Sequence, residues 1–161
     1  MKLFESLIWI VVAFLACCLD TSFFAFYEIF NATIISSFCL ILVIALLDYK
    51  IQSLYYGAFC ILFLSALSSL PIYSLFIAYM IIPLLIFYLR QKIYFEAVPV
   101  VAVFVLLVSS VLFRLVIIPL GSFSSGELLI SIMAFPILNT LFGIVIFVLF
   151  NKFYIVKRGH N

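Results

Sequence analysis

Long apolar runs interrupted by short polar clusters are the main pattern of this chain. Charge, proline or hydroxyl clusters divide it into six runs, at about 6–26, 32–47, 54–70, 71–89, 97–120 and 128–150. Within each run the apolar residues are continuous rather than alternating with polar ones, which is typical of helices and not of barrel strands. A helix also satisfies its backbone hydrogen bonds within one segment, as lipid requires. The pattern predicts an all-α, polytopic transmembrane bundle of about six helices with short loops.

The boundary between the third and fourth runs depends on the sequence Ser68-Ser69-Leu70-Pro71, because no charged residue separates the two runs. One helix from 54 to 89 would be about 54 Å long, whereas the hydrocarbon core of a bilayer is about 30 Å thick. A tight hairpin near Pro71 is therefore expected.

Composition supports a single membrane domain over residues 1–161. Seventy per cent of the 161 residues are hydrophobic and 9% are charged. Soluble domains carry roughly 25% charged residues. The chain has too few charges to cover a soluble surface, so lipid is expected to surround most of it.

The basic residues predict the orientation. With the N-terminus inside and six spans, seven of the eight lysines and arginines lie on the inner side and only Arg114 lies near the outer side. This positive-inside bias predicts cytoplasmic N- and C-termini. Five spans would divide the basic residues between the two sides. Three acids are expected at the outer side: Asp20, Glu28 and Glu127.

Arg114 is the most unusual residue of the apolar runs. A guanidinium at the bilayer centre costs about 2.5–3.5 kcal/mol on insertion scales. Arg114 lies about six residues, or roughly 9 Å of helix, from the outer end of its run. Two interpretations remain open: it snorkels or pairs with Glu127 or Asp20, or it serves a polar cavity or a partner contact.

Other intramembrane residues are candidates for packing or partner contact. Asn139 lies mid-span and is expected to hydrogen-bond across to another helix, with bundle packing favoured over ligand binding. Ser65 permits close helix approach or bonds back to a carbonyl of its own helix. Helix kinks or close packing are predicted at Pro83, Pro99, Pro136, Gly57 and Gly143.

Catalysis and metal binding find little support in the sequence. There is no GxSxG, HExxH, GxxxxGK[ST] or GxGxxG motif. The four cysteines lie in apolar runs without a CxxC spacing, and the single histidine is His160. We therefore expect a protein that is not an enzyme and has neither metal nor cofactor. The basic tail is expected to fix topology and contact anionic lipid, not nucleic acid.

Three features of the chain are shared with one known family of membrane proteins. The whole chain has the size, six spans and short loops of that family. The segment from Leu47-Asp48-Tyr49-Lys50 to Gly57 is similar to its inner loop and glycine-started third helix, and the following hairpin through Pro71 to Tyr79 is similar in spacing. Phe135-Pro136-Ile137-Leu138-Asn139-Thr140, with the basic tail, is similar to its last helix. The chain thus resembles the MreD family of rod-shape-determining membrane proteins, and it departs from that family at Ser65, where an acid is common.

The resemblance implies a structural role in the bacterial inner membrane. MreD-like proteins partner MreC, a protein with one transmembrane helix, within the lateral cell-wall synthesis machinery. That machinery includes the RodA glycosyltransferase, its transpeptidase and MreB filaments. The implied function is a non-enzymatic scaffold that holds the transmembrane helix of an MreC-like partner.

A second interpretation comes from another class of protein. Substrate-binding S-components of energy-coupling-factor transporters also have six helices with short loops. They often carry an AxxxA spacing in the first helix, whereas Ala13 and Ala16 are spaced AxxA here. They also usually have a longer polar outer loop over the ligand, and the turn 121–126 is brief.

Overall fold

Six helices make up the bundle in the part of the chain that the structure, a computed structural model, describes. The described residues are 3–27, 32–93, 98–117 and 125–158, with side chains described for most of them. The helices are α1 (Leu3–Cys18), α2 (Ser36–Leu46), α3 (Lys50–Leu67), α4 (Ile72–Phe76, a π-helical turn Ile77–Ile81, and Ile82–Ile93), α5 (Pro99–Ile117) and α6 (Ser125–Arg158). A π-helical turn, Leu19–Phe23, and a 3₁₀ turn, Phe24–Phe26, continue α1.

Five of the six helices are long and apolar enough to cross a membrane, which confirms the predicted all-α polytopic bundle. The candidate spans are Leu7–Phe26, Lys50–Leu67, Ile72–Lys92, Pro99–Val116 and Ile132–Lys152. At 1.5 Å per residue, spans of this length match a hydrocarbon core of about 30 Å. The protein is thus a multi-pass membrane protein.

The sequence predicted one spanning helix over the run 32–47, but the structure has a shorter helix there. Helix α2 has 11 residues and begins at Ser36, so it rises only about 16 Å. The residues before it are not helical, and Ile35 has extended backbone angles. At 3.3 Å per extended residue, residues 32–35 add at most about 13 Å, so this segment and α2 together could reach about one membrane thickness.

Helix α2 lies at the centre of the bundle. Ten of its 11 residues are buried, and it packs against each of the other five helices. Uniform burial explains why its sequence, SSFCLILVIAL, is apolar on every side after the two serines.

The free carbonyl groups at the carboxyl end of α2 accept hydrogen bonds from the turn that follows the helix and from a side chain of α4. The N–H of Asp48 bonds to the carbonyl of Ala45 (3.1 Å), and that of Tyr49 bonds to the carbonyl of Ile44 (3.2 Å). This pair is a Schellman motif, which requires a left-handed residue after the helix, and Asp48 has φ 68°. The guanidinium of Arg90 in α4 donates to the carbonyl of Leu46. Its positive charge also opposes the partial negative charge at this helix end.

The hairpin between α3 and α4 is close-packed at a glycine. Helix α3 ends at Leu67 and α4 begins at Ile72, after Pro71. A Cβ atom on Gly57 would lie 2.3 Å from the carbonyl oxygen of Tyr79 and 2.8 Å from Cδ1 of Ile41. Glycine is therefore required where α3 meets the π turn of α4.

The remaining predicted packing residues differ in what they do. Pro99 is the first residue of α5, so it begins a helix and does not kink one. Proline suits that position because a first-turn N–H has no intrahelical partner to lose. Pro136 lies inside α6, and Pro83 lies two residues after the end of the π turn Ile77–Ile81. Gly143 faces Leu106, with an ideal Cβ 2.9 Å from the Leu106 side chain.

Candidate functional site

Asp20 holds the amino end of α2. Its Oδ1 accepts hydrogen bonds from the backbone N–H and the hydroxyl of Ser36, both at 2.6 Å. Its Oδ2 accepts from the N–H of Ser37 at 3.0 Å and from the Ser37 hydroxyl. The first N–H groups of a helix lack intrahelical partners and carry a partial positive charge. One carboxylate thus satisfies two of these groups and two hydroxyls.

Two π-helical turns meet at this point. Asp20 lies in the turn Leu19–Phe23, and Tyr79 lies in the turn Ile77–Ile81. The Ser37 hydroxyl, which donates to Asp20, lies 2.5 Å from the Tyr79 hydroxyl. Pro83 has no N–H to return to the carbonyl of Tyr79, four residues earlier, which favours a break in the α-helical pattern there. Single π turns inside helices are frequent at functional sites.

The Asn139 side chain of α6 forms hydrogen bonds with the backbone of the segment that precedes α2. Its Oδ1 accepts from the N–H of Ile35 at 2.8 Å, and its Nδ2 donates to the carbonyl of Thr33 at 3.0 Å. Nδ2 also donates to the carbonyl of Phe135, one turn earlier in α6, at 3.0 Å. Non-helical backbone at membrane depth is tolerated only where such groups find partners inside the protein. The Cys39 thiol of α2 also donates to Oδ1 of Asn139 at 3.5 Å and to its carbonyl at 3.3 Å, so Asn139 makes the predicted hydrogen bond to another helix as well as those to the backbone before α2.

Arg114 lies in the last turn of α5 and is half-buried. Its Cζ is 5.3 Å from the centre of the Phe135 ring, within cation–π range. Its positive charge is also favourable near the carboxyl end of a helix. The side chain of Glu127, one predicted partner, lies outside the described residues. Arg114 and Asn139 both contact Phe135, so the fold brings these two predicted residues to one part of α6.

Ser65 lies apart from the residues around α2. It is exposed on α3, and its hydroxyl donates to the carbonyl of Leu62 at 2.9 Å. Its hydroxyl thus finds a hydrogen-bond acceptor within its own helix, as expected for a serine that faces lipid.

The sequence analysis missed the contact between Asp20 and α2. It expected Asp20 at the outer side, within the first run at 6–26, and Asp20 lies in the candidate span Leu7–Phe26, six residues before its end. Six residues correspond to roughly 9 Å of helix. The sequence does contain a signal for the contact: an acid within an apolar run, followed 16 residues later by two serines that open a run too short to cross the membrane.

A cavity of about 390 Å³ lies beside the start of α2. Polar residues from four segments line one part of it: Asp20, Thr21, Thr33, Ser68, Ser69 and Tyr79. Apolar residues line the rest, among them Ile35, Leu64 and Phe113. Its volume lies in the range of small-molecule sites, about 300–1,000 Å³.

The side chains that commonly bind metals are dispersed. Among the described residues, no group of three or more histidine, cysteine, aspartate or glutamate side chains is placed to hold a metal ion. The four cysteines are free thiols, and Cys17, Cys39 and Cys60 are buried.

The fold and the polar contacts around α2 define a class: a multi-pass helical membrane protein whose central apolar helix is too short to span the membrane by itself. No protein-family model matches the chain, and no curated protein and no solved structure matches it significantly.

Proposed function

We propose that this protein is a non-enzymatic scaffold of the MreD type in the bacterial inner membrane. Its task is to hold the transmembrane helix of an MreC-like partner within the cell-wall elongation machinery, and so to support cell shape. RodA, its transpeptidase and MreB are the further expected members of that assembly.

One observation carries the proposal: residues on which the resemblance rests make the central contacts of the bundle. Gly57 permits α3 to touch the carbonyl of Tyr79, and Asn139 bonds to the segment before α2. The coincidence of these two residues with contacts of the core supports the proposal.

The use of the interior polar groups also favours a structural role. Asp20, Asn139 and Arg90 bind the two ends of α2 and the segment before it. Their hydrogen bonds therefore stabilise one buried helix. Helices α1, α3, α4, α5 and α6 present large exposed apolar side chains, which are available to lipid or to a partner helix.

Affinity purification in mild detergent, followed by mass spectrometry, tests the assignment. The expected result is recovery of a protein with a single transmembrane helix together with cell-wall synthases. Purification of the protein alone, or with an unrelated set of proteins, would contradict the scaffold.

Photo-crosslinking locates the contact. A photoreactive phenylalanine analogue is placed at exposed positions on different helices, such as Leu62, Phe104 and Leu141, which are 61%, 69% and 59% exposed. The buried Phe147 is the matched control. The scaffold predicts crosslinks to one small membrane protein from one side of the bundle and none from Phe147.

A second function, the S-component of an energy-coupling-factor transporter, is favoured by the cavity beside α2. Its volume of about 390 Å³ and its hydroxyl-lined wall fit a small polar ligand. On this interpretation a bound small molecule co-purifies, as do a transporter coupling subunit and its ATPases. Ser69→Trp, which fills the cavity from its exposed side, would then abolish ligand binding but leave recovery of the coupling subunit intact.

A further inference from the structure

The groove between α4 and α5 has a form that suits a lipid chain. At one end the helices meet, where the Ser74 hydroxyl lies 3.5 Å from the carbonyl of Val116. After the π turn, α4 packs against α2, and a groove separates it from α5. Apolar side chains dominate its lining: Ile82, Leu85, Ile86 and Leu89 of α4 and Phe104, Val105, Val108 and Leu112 of α5, together with Ser109.

The groove extends over about one leaflet. Ile82 to Leu89 covers about 10 Å of helix rise, and Phe104 to Leu112 covers about 12 Å. Half of the hydrocarbon core is about 15 Å thick. A spanning partner helix could lie in this groove over only part of its length, because the groove closes where α4 meets α5. Its length therefore fits an acyl chain better than a spanning helix.

A positive charge lies at the open end. Leu85, Leu89 and Lys92 follow the i, i+4, i+7 spacing, so they share one face of α4. Lys92 is exposed, with its Nζ 6.0 Å from the centre of the Tyr88 ring. A lipid whose chain lies in the groove would have its headgroup at this level. Glu96, in the adjoining loop, lies outside the described residues.

We propose that the α4–α5 groove is a binding site for an anionic phospholipid, with one acyl chain between Leu85 and Val108 and the phosphate beside Lys92. This site is independent of the scaffold assignment, since it depends only on the groove and on Lys92.

Native mass spectrometry of the full-length protein tests the site. The protein is titrated with phosphatidylglycerol or with phosphatidylcholine of the same acyl chains. A basic residue near an anionic headgroup contributes about 1 kcal/mol, which is about fivefold in affinity. Wild type is therefore expected to bind the first phosphatidylglycerol about fivefold more tightly than phosphatidylcholine, and Lys92→Gln is expected to lose that preference. Lys50→Gln, which removes the same charge from the exposed start of α3, is expected to keep it.

Two groove-filling variants test the acyl chain. Leu85→Trp and Val108→Trp fill the groove from opposite walls, and both residues are partly exposed, at 45% and 38%. Each is expected to abolish the first lipid adduct, while Val145→Trp on the exposed face of α6 leaves it unchanged. Adducts that persist in both groove variants would overturn the proposal, as would equal binding of the two lipids by wild type. So would a crosslinker at Leu85 that captures a protein helix in native membranes in place of lipid.

Discussion

At the residue scale, Asp20 accepts four hydrogen bonds from Ser36 and Ser37. Asp20→Ala would leave two backbone N–H groups without an acceptor, and a buried unsatisfied group costs about 1–3 kcal/mol. We expect a loss of about 3 kcal/mol in the free energy of unfolding. Asp20→Asn keeps one carbonyl acceptor and should cost about half as much. Denaturation in detergent micelles, followed by circular dichroism, measures both.

Ser65→Ala is the control for Asp20, because Ser65 is exposed and bonds only within α3 among its described contacts. A surface substitution of this kind usually changes stability by less than about 0.5 kcal/mol. If Asp20→Ala unfolded at the same denaturant concentration as Ser65→Ala, the carboxylate would not be holding the start of α2.

Asn139 makes the second residue-scale prediction. Asn139→Leu keeps a similar side-chain size but leaves the N–H of Ile35 and the carbonyl of Thr33 without their partner. We expect a loss of about 2 kcal/mol in the free energy of unfolding. The same measurement on Asn151→Leu, about three turns further along α6, gives the matched comparison. Equal effects of the two substitutions would show that the amide of Asn139 has no special role.

At the element scale, two glycines lie at helix contacts that differ in how closely the neighbouring helix approaches. The missing Cβ of Gly57 would meet a backbone oxygen at 2.3 Å, whereas that of Gly143 would meet the end of the Leu106 side chain at 2.9 Å. Backbone cannot move aside without separating α3 from α4, but a leucine side chain can change its rotamer.

Gly57→Ala is therefore expected to lower stability by about 3 kcal/mol or more, within the upper range for single substitutions. Gly143→Ala is expected to stay within about 1 kcal/mol of wild type, because alanine also favours helix. Thermal unfolding of the two purified variants, compared by their Tm, checks this. A Tm of Gly57→Ala at or above that of Gly143→Ala would be inconsistent with the close approach at Tyr79.

The sequence predicted some elements better than others. Continuous apolar runs place the five long helices, because lipid requires both the length and the internal backbone bonding that those runs supply. They misplaced the start of α2. Residues 32–35 are as compatible with helix as their neighbours, and what replaces their helical bonds is the side chain of Asn139, more than 100 residues away.

At the scale of the whole molecule, the topology depends on whether residues 32–46 cross the membrane. If residues 32–46 cross the membrane, Gln52 and Gln91 lie on the same side as the N-terminus, and Ser122 lies on the other. Single cysteines at these three positions should react accordingly with a membrane-impermeant maleimide, with Ser122→Cys labelled in intact cells and the other two only after permeabilisation. Wild type is the blank, because Cys17, Cys39 and Cys60 are buried and Cys18 is half-buried inside the first span.

Labelling of Gln52→Cys in intact cells would mean either that residues 32–46 enter and leave the membrane on one side or that the N-terminus lies outside. The basic residues Lys50, Arg90 and Lys92 would then lie outside, against the positive-inside rule. The labelling pattern thus tests both the span and the orientation inferred from charge.

The sequence by itself determined that lipid surrounds this protein, that the protein is helical, and approximately where most of its helices lie. Those properties depend on local hydrophobicity, which each segment carries without reference to the others. The tertiary structure decided that α2 is short, central and held at both ends by Asp20 and Arg90. Their identity as partners of α2 depends on packing between segments distant in the chain. An acid in an apolar run is costly in lipid, but it becomes stabilising when a buried helix end supplies its hydrogen bonds.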